Sequence, residues 1–272
     1  MLSKSIKHEF RATSRIMLPM ILALLAISIV THFAPMILEL GTAHWLLKTA
    51  AVLFFIIFFV GIMAVAIGTL VIACKRFYQS FFSDEGYLNM TLPTTAHTHI
   101  ASRVIVVFIW DVFAAIAIIL SLMVVFLDMQ GWNQFFTGFS DLFPAIQLAL
   151  QKLEAGQLWS VIGIALETFL GMILSQVLGT LMIYASIAIG YSFNKGKKSW
   201  AILFAFIFYF GLQFVSMIYT VGMTASQLLP DLTDSLSKIP TAMLLLLVPE
   251  LLACIAFYLI TYFFMTRKLN LE

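Results

Sequence analysis

Six long apolar runs constrain this chain more than any other feature. They fall at about 17–38, 46–74, 100–127, 158–191, 199–222 and 241–265. A helix crossing the hydrocarbon core of a bilayer needs about 20 apolar residues, because the core is about 30 Å thick and each residue rises about 1.5 Å. All six runs meet that length, and the fourth is long enough to tilt, kink or project beyond the bilayer. They lack the alternating pattern and the roughly 10-residue segments of an outer-membrane barrel. The expected fold is therefore an all-α integral membrane domain of six spans filling residues 1–272.

Composition narrows the function classes. The chain is 62% hydrophobic and 10% charged, against about 45–50% and about 25% in soluble proteins, so its charges are too few to cover a water-facing surface. That excludes a soluble enzyme and a disordered tail, and two cysteines exclude a disulfide scaffold. A net charge of +2 leaves no basic surface for nucleic acid. Cys74 and Cys254 lie in or beside apolar runs, and no structural disulfide is expected of them.

Lysines and arginines set the expected orientation, because cytoplasmic loops carry an excess of them. Lys4, Lys7, Arg11, Arg15, Lys75, Arg76, Arg103, Lys195, Lys197, Lys198, Arg267 and Lys268 fall on one side, and only Lys48, Lys152 and Lys238 on the other. Both termini are thus expected in the cytoplasm. The first apolar stretch exceeds the about 7–15 residues of a signal-peptide core and is read as a retained span.

Two segments outside the spans carry pattern. In residues 2–17, Leu2, Ile6, Phe10, Thr13 and Met17 share one helical stripe, with Lys4, Lys7, His8, Arg11 and Arg15 opposite. Such a helix fits the membrane interface, apolar side down; the plainer alternative is a basic lead-in that obeys the charge rule. The connector at about 75–99 is longer than ordinary helix–helix links. It holds Asp84 and Glu85, then Gly86 as a helix terminator, then Pro93 with Thr94 or Thr95 to cap the third span. With its aromatics it reads either as a docking surface for a soluble partner or as a solvated connector.

The run FYQSFFSDEGYLNMTLP in that connector resembles the segment between spans two and three of bacterial ABC transporter permeases of the type-2 exporter class. The ending TRKLNLE is similar to that of small permeases of this class from Gram-positive bacteria. The resemblance covers the topology, and its sharpest motif is SDEGYLNMTLP. It implies a coupling helix that sits in a cleft of a separate ATP-hydrolysing subunit, with Asp84, Glu85, Gly86, Tyr87 and Leu88 as the contact surface. It also implies a bacterial plasma-membrane location, and a second permease copy or related permease to complete a twelve-helix pathway. ATP and magnesium would be held by the partner. The chain would be no enzyme and hold no cofactor of its own. The transported substrate does not follow.

Three acids lie inside the runs: Asp111, Glu167 and Glu250. A carboxylate at mid-bilayer costs at least about 2.5–3.5 kcal/mol, so such groups face protein or water. Gly163, Glu167, Gly171, Ser175 and Gly179 recur every four residues, a small-residue stripe that admits a second helix closely. Glu250 follows Pro249, a potential kink. These acids either line a translocation path or relay protons, or they are neutral, hydrogen-bonded structural groups. A secondary transporter or channel that uses them is the competing function.

The remaining signals are weak. His97 and His99 lack a cysteine or carboxylate cluster for a metal. HEFR at 8–11 lacks the second histidine of a zinc-protease helix, and GYSFNKGKKS at 190–199 has the wrong glycine spacing for a phosphate loop. Residues 128–157 form the longest expected outer loop, with a short helix at 145–156 entered near Pro144 and ended by Gly156. That helix suits a lid or simple packing on the interface.

Overall fold

The computed structural model describes residues 2–39, 44–82, 95–127, 129–152, 155–226 and 239–267, by backbone alone at 129, 130, 149, 152, 155 and 156. Every regular element among them is helical: α1 Leu2–His32, α2 Ala34–Glu39, α3 Trp45–Phe82, α4 Ala96–Phe126, α5 Met129–Lys152, α6 Ala155–Gly190, α7 Lys197–Ala225 and α8 Ile239–Arg267. Six segments are long and apolar enough to cross a membrane: α1 with α2, α3, α4, α6 from Gln157, α7 and α8. Their outward side chains are apolar, as with Phe210, Phe214 and Met217 on α7. Hydrocarbon solvates such residues as readily as a protein core does, so a span needs little internal burial.

The chain clusters into two compact units, Met1–Arg76 with Ala101–Ser140, and Phe77–Ile100 with Asp141–Glu272. In the first, α1 buries Glu9, Thr13, Met17, Leu24, Ser28 and Thr31 along one stripe. The stripe runs without a break through Pro19, and so does the helix. The expected division into an interfacial helix at 1–16 and a span from 17 is therefore not seen. Packing explains why: Met17 joins Ile72, Val106 and Trp110, with Ile6 and Phe10 against them. Further along, Leu24 joins Phe58, Val65, Ala114 and Val125. The apolar face expected to lie on lipid is covered by protein instead.

In the second unit α6 packs along both α7 and α8. The small-residue stripe is where α8 comes close: a Cβ added at Gly163 would lie 3.5 Å from Pro240, and one at Gly171 3.1 Å from Leu247, whereas Gly179 faces open space. Gly190 ends α6 so close to α7 that an added Cβ would collide with the Ala201 backbone. The turn that follows uses Gly196 at φ 68°, a left-handed conformation that favours glycine. It is an ordinary helix-to-helix turn.

Three boundaries differ from the sequence reading. Helix α3 runs to Phe82 rather than ending near 74, and α4 starts at Ala96, so the connector shortens to 83–95. Thr95 caps α4, with its Oγ1 3.4 Å from the Thr98 N–H. The helix expected at 145–156 begins at Met129, so Pro144 is interior to it, and Gly156 belongs to the next helix. Helix α8 passes through Pro249 as a single element.

Candidate functional site

In each unit a set of contacts holds part of the two helices that flank residues 83–94, which themselves lie outside the described residues. Asp84, Glu85, Gly86, Tyr87 and Leu88 therefore have no structural account. What is described is how the chain grips the last turns of α3 and the first turns of α4.

On the first unit's side the grip is electrostatic. Glu9 of α1 receives Arg76 from α3 and Arg103 from α4. Arg76 donates to Oε2 through Nη2 at 3.0 Å and Nε at 3.3 Å, and Arg103 donates to Oε1 through Nη2 at 3.2 Å. Glu9 and Arg103 are buried, while the Arg76 side chain retains 21% of its exposure. Charge-assisted bonds of this kind are about twice as strong as neutral ones. One carboxylate thus ties the exit of α3 and the entrance of α4 to the N-terminal helix.

Three more contacts fix α1 against α4. Ser5 and Ser102 pair through their hydroxyls at 3.0 Å, and Phe10 stacks on Trp110 with centroids 4.9 Å apart and planes 9° off parallel. The Trp110 indole N–H donates to Thr13 Oγ1 at 2.8 Å, and that hydroxyl donates to the Glu9 carbonyl at 2.9 Å. The tryptophan therefore also steadies the turn of α1 that carries Glu9.

In the second unit the same two helix ends are held by rings. Phe77 stacks on Tyr184 of α6 at 4.0 Å and 7°. Tyr78 and Phe82 lie at 4.8 and 5.2 Å from Tyr191, the residue just after α6. Burial, and then the neighbouring Tyr78, raise the Tyr191 phenol above its ordinary pKa, so it stays a neutral O–H group. On α4, His99 meets the edge of Phe81 at 5.8 Å. His97 stacks on Tyr262 of α8 at 4.4 Å and 11° and is hydrogen-bonded through Nδ1 to the Tyr258 hydroxyl. The two histidines, expected as residues of a loop, belong to a helix packed against aromatics. The ring-bearing residues 77–82, expected on a docking loop, close a helix end.

The intramembrane acids fall in different units. Asp111 is half-buried on α4 in the first unit; Glu167 on α6 and Glu250 on α8 belong to the second. Glu167 is buried on the stripe that meets α8, and among the described residues its Oε2 has no hydrogen-bond partner; nor has the Oε2 of the partly exposed Glu250. Among the described residues no three histidines, cysteines or acids converge to hold a metal ion.

Sequence reasoning missed Glu9, the centre of the clamp, although it sits on the stripe between Ile6 and Thr13 and is the only acid among five basic or imidazole side chains. It also counted Arg76 and Arg103 only as orientation markers. Tyr258 and Tyr262 gave no local signal, because their partner His97 is 161 positions from Tyr258 and farther still from Tyr262.

Six apolar helices of spanning length define a multi-pass membrane protein. No protein family, curated protein or solved structure matches the chain.

Proposed function

We propose that the chain is the membrane-spanning permease subunit of an ABC transporter, working as an exporter and driven by a separate ATP-hydrolysing subunit. The observation that carries this reading is the bracing of both helix ends around residues 83–94, by the Glu9 clamp in one unit and by stacked rings in the other. A segment that receives force from a partner must pass it to the spans, and a loop on loose ends absorbs motion instead. Here Arg76 and Arg103 lie within seven residues of the segment's described borders at Phe82 and Ala96, and both end on one carboxylate. In this reading Asp84, Glu85, Gly86, Tyr87 and Leu88 form the docking surface. A second permease completes the pathway, and nucleotide binding in the partner shifts a two-state equilibrium between access states. ATP and magnesium stay with the partner subunit.

A test is co-purification of the tagged chain with an ATP-hydrolysing subunit from its own cells, for the parent and for the Glu85→Ala/Tyr87→Ala double variant. The expected result is capture by the parent and loss of capture or of ATP-dependent transport in the variant, with membrane insertion unchanged. Equal capture and transport by both would remove the docking role.

A second reading is favoured by one observation, the buried Glu167 whose Oε2 lacks a partner. Intramembrane carboxyls of that kind serve proton relays in secondary transporters. Vesicles containing this chain alone would then accumulate solute under a proton gradient, and the permease reading requires that they do not.

A further inference from the structure

The best-defined surface that the transport readings leave unused is α5. At 3.6 residues per turn, Trp132, Phe135, Phe136, Phe139, Phe143 and Ile146 fall within an arc of about 120°. Asn133, Gln134, Thr137 and Asp141 take the opposite side, with Ser140 and Gln147 at the border between the two. Every side chain from Asn133 to Leu148 is exposed, and Phe143 reaches 79%. Both arcs are open, so nothing among the described residues covers this apolar face.

Connectivity says what does. Two residues separate α4 from α5, and two separate α5 from α6. Helices α4 and α6 are consecutive spans, so both ends of α5 lie at one membrane face. A 24-residue helix is about 36 Å long, and two-residue links reach only about 7 Å each. Tethered at both ends, α5 lies along that face rather than away from it.

Composition agrees with such a seat. Aromatic rings, with tryptophan near one end, suit the boundary between headgroups and hydrocarbon. The polar arc is almost uncharged: α5 carries Asp141 and a terminal Lys152, which cancel. Near the junction with α6, Phe143, Ile146 and Leu150 combine with Leu158, Gln147 and Gln151 to line an open groove of about 410 Å³, apolar enough to take an acyl chain. Phe126 at the end of α4 and Trp159 at the start of α6 are exposed as well.

We propose that α5 is a monotopic helix seated in one leaflet, its aromatic arc about 5–10 Å into the headgroup–acyl boundary and its amide and hydroxyl arc in water. Because it has no net charge, the seat depends on apolar area and not on anionic lipid. Its failure would leave the transport proposal standing, since neither uses the other's residues.

The test places a spin label at Phe143→Cys or Thr137→Cys in the full chain carrying Cys74→Ser and Cys254→Ser, reconstituted in phosphatidylcholine vesicles. Oxygen collisions should exceed those with a water-soluble nickel reagent at position 143, and the ratio should invert at position 137. Adding phosphatidylglycerol or molar salt should change neither. Equal ratios at the two positions would overturn the proposal, and so would dipolar broadening at 143, which would mean a second copy covers the arc. For the unaltered chain, a membrane-confined carbene probe should mark Phe136, Phe139 and Phe143 and spare Gln134, Thr137 and Asp141. An even distribution of adducts, or none, would equally overturn it.

Discussion

Glu9 and Glu167 are buried almost equally, 6% and 7% exposed, yet their surroundings are opposite. Glu9 sits between two guanidinium groups with both oxygens bonded, whereas Glu167 leaves Oε2 without a partner. One carboxylate organises its surroundings: three helices from distant parts of the chain meet on it, and removing it would leave two guanidinium groups without their carboxylate. The other is organised by its surroundings. Glycines 163 and 171 bring α8 against the stripe on which Glu167 lies, and helix packing holds the acid in place. Burial alone therefore says little about what an acid does in such a protein; its bonding partners say more.

Removing the Glu9 charge should produce the largest effect. Breaking a buried ion pair from one side costs about 3–5 kcal/mol, and partial exposure of Arg76 places Glu9→Gln near about 3 kcal/mol by the same reasoning. The variant should unfold much faster in detergent, read as inactivation half-life at fixed temperature. A double-mutant cycle sharpens this. Glu9 should couple more strongly to buried Arg103 than to Arg76. A half-life unchanged by Glu9→Gln would mean that the three helix ends hold without the clamp.

The contrast between the two acids also marks what could be read from sequence. All six spans were legible, because a bilayer demands a long apolar run and no tertiary contact can substitute for it. The stripe of α1 was legible too, as was that of α6, since helical period is local. What covers a stripe is not local. Ile6, Phe10 and Met17 look the same whether they meet lipid or Trp110, and only the fold decides. The clamp was hidden for a related reason: its members lie 67 and 94 positions apart, and arginines near span ends satisfy the orientation rule whether or not they are paired. Helix α5 was the avoidable miss. Its aromatic spacing from Trp132 to Ile146 was present in the sequence, but residues 128–157 were read as an outer loop with a helix only at 145–156.

If packing rather than pairing holds Glu167, then crowding the stripe should matter more than altering the acid. Gly171→Leu puts a side chain where a Cβ alone would lie 3.1 Å from Leu247. Overpacking of this kind costs about 1–3 kcal/mol, so the half-life should fall, though less than in Glu9→Gln. Gly179→Leu, facing open space, should leave stability unaltered and serves as the control. Equal effects at 171 and 179 would mean that α8 does not hold the stripe.

Glu167→Gln should have the smallest effect on stability. The amide keeps the size of the side chain, and no ion pair is broken, so the change should stay within about 0.5–1 kcal/mol, the scale of a substitution that breaks no named interaction. Stability and transport then answer different questions. A variant as stable as the parent that still exports would make Glu167 a packed structural group, in keeping with a permease driven from outside the spans. A variant equally stable but unable to transport would assign the unpartnered oxygen to the moving proton or cargo. A large loss of stability would show that Glu167 has a charged partner after all, and the contrast with Glu9 would collapse.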